Sequence, residues 1–498
     1  MDDFLHELDE YVHGHKENEW LGSFAEYLPK VLEDPRLARR AHQLIYDMIV
    51  EQGVDVDPET SEEHYRFFEK ELYGMDTTLA QVMEYFKAAA LGSDVRRRIL
   101  LLYGPPSSGK SELLVQLKRG LEAYTRSQAG AIYAIADCPQ HEEPLHLIPF
   151  AMRADLRERY GIDIEGELCP RCALDLQGKY EGDIYRVPVK RIFFSEKNRV
   201  GIGTFVPSDP KSQDISELVG SLDLAHIGEF GAESDPRAYR FDGELNIANR
   251  GLMEFIEMLK ADSRFLYVLL TLAQERNIKT GRFPLIYADE CVIAHTNEVE
   301  FQTFVSDETS EALRDRMIAV EVPYNLRLRD EVHIYEKLLS PSRSTSSVHI
   351  APHSLEVAGI FALLTRIKEG TRPGLTRLRK LHLYNGEEVE GFNRRDVARM
   401  HAEAEDEGMG GISPRFVINR LSATLTRPNV TCINPVDALL SLRTGVEQLS
   451  GLSHEEREAY FDLIADARRE YDEIARNDVQ KAFFVSFEDE IHNLLNNY

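Results

Sequence analysis

Cysteine is scarce in this chain, five residues among 498; tryptophan occurs once, and basic side chains are outnumbered by acidic ones, 58 against 85. Each shortage excludes something. Five cysteines (Cys138, Cys169, Cys172, Cys291, Cys432) are too few for a disulfide scaffold and cannot all pair, so a reducing, cytoplasmic setting is expected. A net charge of −27 makes the surface repel polyphosphate, so no nucleic-acid partner is expected and a protein or small molecule is the better default. No apolar run approaches the ~18 residues of a spanning helix. The acidic first twenty residues lack the layout of a signal peptide, so no membrane association is expected.

What is present reads as mixed α/β. Phe24, Tyr27, Leu28, Val31 and Leu32 form a helical stripe, most simply a packing face. RILLLYG (98–104) is an apolar run ending in glycine, the pattern of a buried parallel strand. From about 137 to 245 the chain turns irregular and rich in Gly, Pro and Asp, which suggests an insertion. Within it, YRVPVKRIFFS (185–195) reads as an edge hairpin, because Pro188 argues against a central strand. The serine-rich SPSRSTSSVH (340–349) reads as a hinge or surface loop, and helices are expected from 352 onward.

The firmest motif is GPPSSGKS: Gly104, Pro105, Pro106, Ser107, Ser108, Gly109, Lys110 and Ser111. It fits G-x-x-x-x-G-K-[S/T], entered by the apolar strand and left by the amphipathic ELLVQLKRGLEAY. Glycines let the backbone wrap phosphate oxygens while successive N–H groups and the helix N-terminus supply positive potential. Lys110 can reach the β- and γ-phosphates and the Ser111 hydroxyl can ligate Mg²⁺, so ATP or GTP with Mg²⁺ is the predicted ligand.

Such a site needs an acid at the end of a neighbouring strand. FPLIYADE (283–290) matches best alone, but VIAHTN (292–297) looks like the next strand, and seven residues from Glu290 to Asn297 cannot hold a parallel crossover. From Glu257, in GLMEFIEM, forty residues remain. Glu257 is therefore the expected water-polarising acid, at the cost that Ile256 stands where an aspartate is usual and Mg²⁺ relies on Ser111, water and Glu254.

GELNIANRGLMEFIEMLK (243–260), ALRDRM (312–317) and GISPR (411–415) resemble elements of Lon-like and related AAA+ ATPases. The resemblance implies that Asn297 senses the γ-phosphate, Arg316 reaches the next subunit's nucleotide as a finger, and Arg415 acts from a helical lid; it also implies a homo-oligomeric ring, a hexamer. With ELCPRC, GIGTFVPSDPKSQDISELVG and IAHTNEVEF added, the whole chain resembles the PrkA family, bacterial proteins named as serine protein kinases that carry an AAA+ module. The organisation then expected is an N-terminal helical region (1–75), an AAA+ α/β ATPase core (76–335) carrying the insertion, a helical lid (336–445) and a C-terminal helical extension (446–498). Family proteins generally run further, and the chain is expected to lack their kinase-like C-terminal region. The implied function is ATP hydrolysis with serine phosphorylation of a protein substrate or signalling partner, in stress or sporulation-type signalling. Lon-like proteolysis or remodelling, and a nucleotide-gated scaffold, are the alternatives.

No G-x-G-x-x-G-x-V, H-R-D or D-F-G string occurs, so a eukaryotic-type kinase site is absent from the chain. CPQH and CPRC are two paired ligand turns, and Cys138, His141, Cys169 and Cys172 form a candidate tetrahedral Zn²⁺ set that could hold the loop-rich insertion together. His146 or Glu142 could upset that count, and the alternative is two reduced cysteine turns without metal.

Overall fold

The computed structural model describes residues 19–58, 63–207, 214–230, 232, 235–280, 283–345, 348–370, 372, 374–392, 396–397, 399–400, 404, 406–427 and 430–496. The chain divides into two compact units, one of 1–72, 76–103 and 109–321, the other of 73–75, 104–108 and 322–498.

The first unit is built on five parallel strands: Ile99–Tyr103 (β1), Ile202–Phe205 (β2), Leu252–Phe255 (β3), Cys291–Thr296 (β4) and Met317–Glu321 (β5). They stand in the order β5-β1-β4-β3-β2. Leu100, Leu101 and Leu102 are fully buried, as a strand covered on both faces requires. The neighbours β3 and β4 are joined through the helix Ser263–Glu275, the crossover that parallel pairing demands. FPLIYADE stays off this sheet. Ile286–Tyr287 pairs antiparallel with Asn277–Ile278, Asp289 accepts the Ala41 N–H (2.9 Å), and Glu290 is buried. The segment read as an insertion contributes β2, the outer strand of the main sheet, because its IGTF run is apolar enough to be covered.

A second, antiparallel sheet orders Leu21–Ser23, Pro188–Ile192 and Ile132–Ile135. Pro188–Ile192 is thus its central strand, not half of an edge hairpin. Pro188 is tolerated because it opens the strand, where no ladder N–H is needed, while its carbonyl accepts the Ala136 N–H (2.9 Å). The helix Phe24–Glu33 begins at once after Ser23, whose backbone and hydroxyl both donate to Glu26 (2.7 and 2.9 Å). Its faces Phe24, Tyr27 and Val31 are fully buried in a core shared with Ile135, Leu145, Cys169 and Val189.

The second unit is helical: Leu328–Thr345, Ser354–Arg366, Arg377–Tyr384, Pro414–Leu425, Pro435–Gln448 and His454–Asn496. Residues 340–345 of the serine-rich stretch extend the first of these instead of forming a loop, and residues 346–347 lie outside the described residues. Serine costs a helix only tenths of a kcal/mol, about 0.5. Leu355, Val357, Phe361 and Leu364 pack into one core with Leu421, Leu442 and Ile464. Inside it Arg366 and Glu331 form a fully buried bidentate pair at 2.7 and 2.8 Å. No helix among the described residues is long and apolar enough to cross a membrane.

Candidate nucleotide and metal sites

The loop at the carboxyl end of β1 has the backbone its glycines permit. Gly104 lies at φ 150°, where a Cβ would meet the Val322 carbonyl at 2.3 Å. Ser107 (φ 66°) and Gly109 (φ 104°) turn the chain so that Lys110 opens the helix Lys110–Tyr124. Gly109 occupies the N-cap without a capping side chain, so the first N–H groups of this fifteen-residue helix face the loop, an arrangement suited to phosphate. The Tyr324 hydroxyl steadies the loop by donating to the Pro106 carbonyl (2.7 Å).

Lys110 is buried, and burial lowers its pKa to about 8 against the opposing field of Glu257. Ser111 is exposed beside it in the first helical turn. Glu257 sits just past β3 in the left-handed region (φ 48°), an unusual conformation for a non-glycine residue. Its Oε2 is buried and makes no hydrogen bond, with Lys260 Nζ 3.2 Å away as its ion-pair partner.

Glu254 Oε2 accepts a hydrogen bond from Lys118 Nζ (2.7 Å), and its Oε1 has His295 Nε2 at 3.4 Å. Burial raises its pKa, but these two partners outweigh that and keep it below the usual carboxylate range. Lys118 also reaches Glu196 (2.6 Å), so one lysine ties the P-loop helix to β3 and to the chain before β2. Sequence reasoning missed this network, although Lys118 follows Lys110 by about two helical turns and so lies on the same face.

Asn297 caps the helix Glu298–Ser306, its Oδ1 accepting the Glu300 N–H (2.9 Å). Arg316 lies in the turn before β5, where Nη1 donates to the Ala312 carbonyl (2.6 Å). In the second unit Arg415 is exposed in the first turn of Pro414–Leu425, which Ser413 caps.

The cysteine turns converge, with one substitution in the expected set. Cys138, Cys169 and Cys172 come together with Glu142, while His141 takes no part in the cluster. His141 is in a left-handed turn (φ 52°), and the next residue directs its carboxylate to the Cys169 N–H (2.7 Å).

Comparison with known proteins follows the same lines. The family description "PrkA AAA domain" matches residues 22–373. "PrkA serine protein kinase C-terminal domain" matches residues 378–498, which corrects the expectation that this region is missing. The protein of Bacillus subtilis (strain 168) named ATP-dependent protease PrkA is 51% identical over 498 residues, all of this chain and 78% of that protein. A protein of Escherichia coli (strain K12) named serine/threonine kinase YeaG is 32% identical over 449 residues, 87% of this chain and 68% of that protein. Among solved structures, the Thermotoga maritima RuvB Holliday junction branch migration motor covers 79% of this chain and 78% of its own at 11% identity and TM-score 0.33, too loose a likeness to carry argument. The fold is that of an AAA+ P-loop ATPase, a parallel sheet with flanking helices.

Proposed function

The chain belongs to the PrkA family, and from that membership we propose that it is a Mg²⁺-dependent ATPase whose hydrolysis drives an action on another protein. The observation that carries this reading is that buried Lys110 lies in the field of the Glu257 carboxylate, just past the end of β3, whose Oε2 is buried, makes no hydrogen bond and has Lys260 Nζ at 3.2 Å. A carboxylate oxygen so placed is suited to orienting water against a γ-phosphate that Lys110 holds. In this scheme the backbone N–H groups of Gly104, Ser107, Ser108 and Gly109 bind phosphate, while Pro105 and Pro106, which have no N–H, shape the loop, and Ser111 ligates Mg²⁺. Asn297, its oxygen engaged in capping, has its amide NH₂ to offer the γ-phosphate. Arg316 completes a neighbour's site in a hexameric ring and Arg415 contributes from the lid, both by resemblance. The five unpaired cysteines support a cytoplasmic setting.

Serine phosphorylation is the output the family description favours, for positioning and charge stabilisation at a P-loop also serve transfer to a hydroxyl. Proteolysis or remodelling is the second reading, favoured by the missing H-R-D and D-F-G strings and by the name of the 51% identical relative. Incubation with γ-labelled ATP and casein, beside Lys110→Ala and Glu257→Gln, separates them by label on serine, fragments of substrate, or free phosphate alone. Binding and hydrolysis by Lys110→Ala at the parent's level would sink the central claim. A monomer by mass measurement in Mg·ATP would remove the role given to Arg316.

A further inference from the structure

The cysteine cluster has the geometry of a closed metal site. Cys138 lies in the turn after Ile132–Ile135, its N–H bonded to the Ile135 carbonyl (3.1 Å). Cys169 caps the helix Pro170–Gly178, and Cys172 stands in that helix's first turn with its N–H on Cys169 Sγ (3.4 Å). One ligand atom from each of Cys138, Glu142, Cys169 and Cys172 lies within 4.8 Å of all the others, and all four residues are buried. Cys138 and Cys169 have their sulfurs 3.9 Å apart, and Cys138 Sγ is 4.0 Å from Glu142 Oε2. A disulfide would need sulfurs ~2.05 Å apart. Tetrahedral zinc, with bonds of about 2.3 Å to sulfur and about 2.1 Å to oxygen, sets its donors roughly 3.5–3.8 Å apart. The two observed spacings need to contract by a few tenths of an ångström, and no pair in the set by more than about 1 Å.

The surroundings orient the carboxylate as a ligand's partners do. Glu142 Oε1 accepts the Cys169 N–H (2.7 Å) and faces His146 Nδ1 (3.0 Å), which leaves Oε2 directed toward the thiols. On its other side His146 Nε2 lies 2.8 Å from the Glu165 carbonyl. His146 thus bridges Glu142 to the Glu165 backbone and fixes the carboxylate's orientation. Without a cation, a fully buried carboxylate among three thiols is a costly arrangement. A divalent, thiophilic cation reverses that cost.

We propose that Cys138, Cys169, Cys172 and Glu142 hold a structural Zn²⁺ that fastens the turn after Ile132–Ile135 to the start of Pro170–Gly178. The ion has four protein ligands and no open position, so its role is structural and independent of the nucleotide site. The core of this region already contains all three cysteines, so losing the metal loosens that core directly.

The test uses the full chain expressed with added zinc and purified without chelator. Elemental analysis is expected to give about one zinc per chain, and Co²⁺ reconstitution a tetrahedral, thiolate-rich absorption spectrum. Cys169→Ser should fall below ~0.2 equivalents, Glu142→Gln should bind at least about tenfold more weakly in chelator competition, and His141→Ala should match the parent. Parent protein holding under ~0.2 zinc, with no cobalt spectrum, overturns the site. Loss of metal in His141→Ala with retention in Glu142→Gln overturns the ligand set. Should Cys169→Ser fail to fold, the parent's zinc content and cobalt spectrum still decide.

Discussion

If burial holds Lys110 near pKa 8, nucleotide affinity must depend on pH in the alkaline range. The free protein loses the Lys110 charge as pH rises through about 8, whereas a bound triphosphate holds the ammonium protonated well above that. Between the two pKa values each binding event takes up a proton, and the dissociation constant rises about tenfold per pH unit. At about pH 9 roughly a tenth of the free protein carries the charge, so Mg·ADP should bind about tenfold more weakly than at neutral pH. Calorimetry in buffers of different ionisation enthalpy reads both quantities, affinity and proton uptake. Lys110→Arg, charged throughout, should bind with a flat profile whatever its absolute affinity. Glu257→Gln removes the field that opposes burial, so its profile should begin to weaken at lower pH than the parent's. A parent profile flat to about pH 9.5, or an unchanged slope in Lys110→Arg, would refute the reasoning.

Three further outcomes follow from the geometry. Glu257→Gln should lower ATP turnover by about 10²–10⁴ while leaving Mg·ATP affinity within a few fold, measured by phosphate release beside equilibrium binding; equal losses in both would make Glu257 a binding residue. Gly104→Ala, with its Cβ forced to within 2.3 Å of the Val322 carbonyl at φ 150°, should cost about 1–3 kcal/mol in denaturant unfolding and weaken nucleotide binding. Glu331→Gln leaves Arg366 charged and fully buried, a loss of about 3–5 kcal/mol and roughly 10 °C in thermal unfolding; a shift under about 2 °C would mean that water reaches the guanidinium.

The readable parts of this chain are those whose signal is local. Ile99–Tyr103, the loop after it and the helix from Lys110 announce themselves through an unbroken apolar run, glycines at the turning points and a lysine in register. Choosing Leu252–Phe255 over FPLIYADE as a strand of the sheet needed only connection length, since a parallel crossover has a minimum size. What escaped depends on distant partners. Pro188 reads as an edge signal until Leu21–Ser23 and Ile132–Ile135 are seen on either side. Serines at 340–345 suggest a loop, but serine's helix penalty is too small to end the helix that reaches Thr345. His141 and Glu142 are adjacent in CPQHE, and only the backbone turn at 141 determines which side chain faces the sulfurs.

The small antiparallel sheet has a consequence for synthesis. Leu21–Ser23 emerges early, but its partner Pro188–Ile192 follows about 165 residues later. At about 5–20 residues per second, the first strand waits on the order of ten to thirty seconds with its edge unpaired. Through that interval the apolar face of Phe24, Tyr27 and Val31 has no completed core to enter, and it is an early site for a chaperone to cover or for a misfolded contact to begin. Ribosome pausing or a slowed elongation rate between these segments should therefore raise aggregation of the nascent chain more than pausing after residue 192 does.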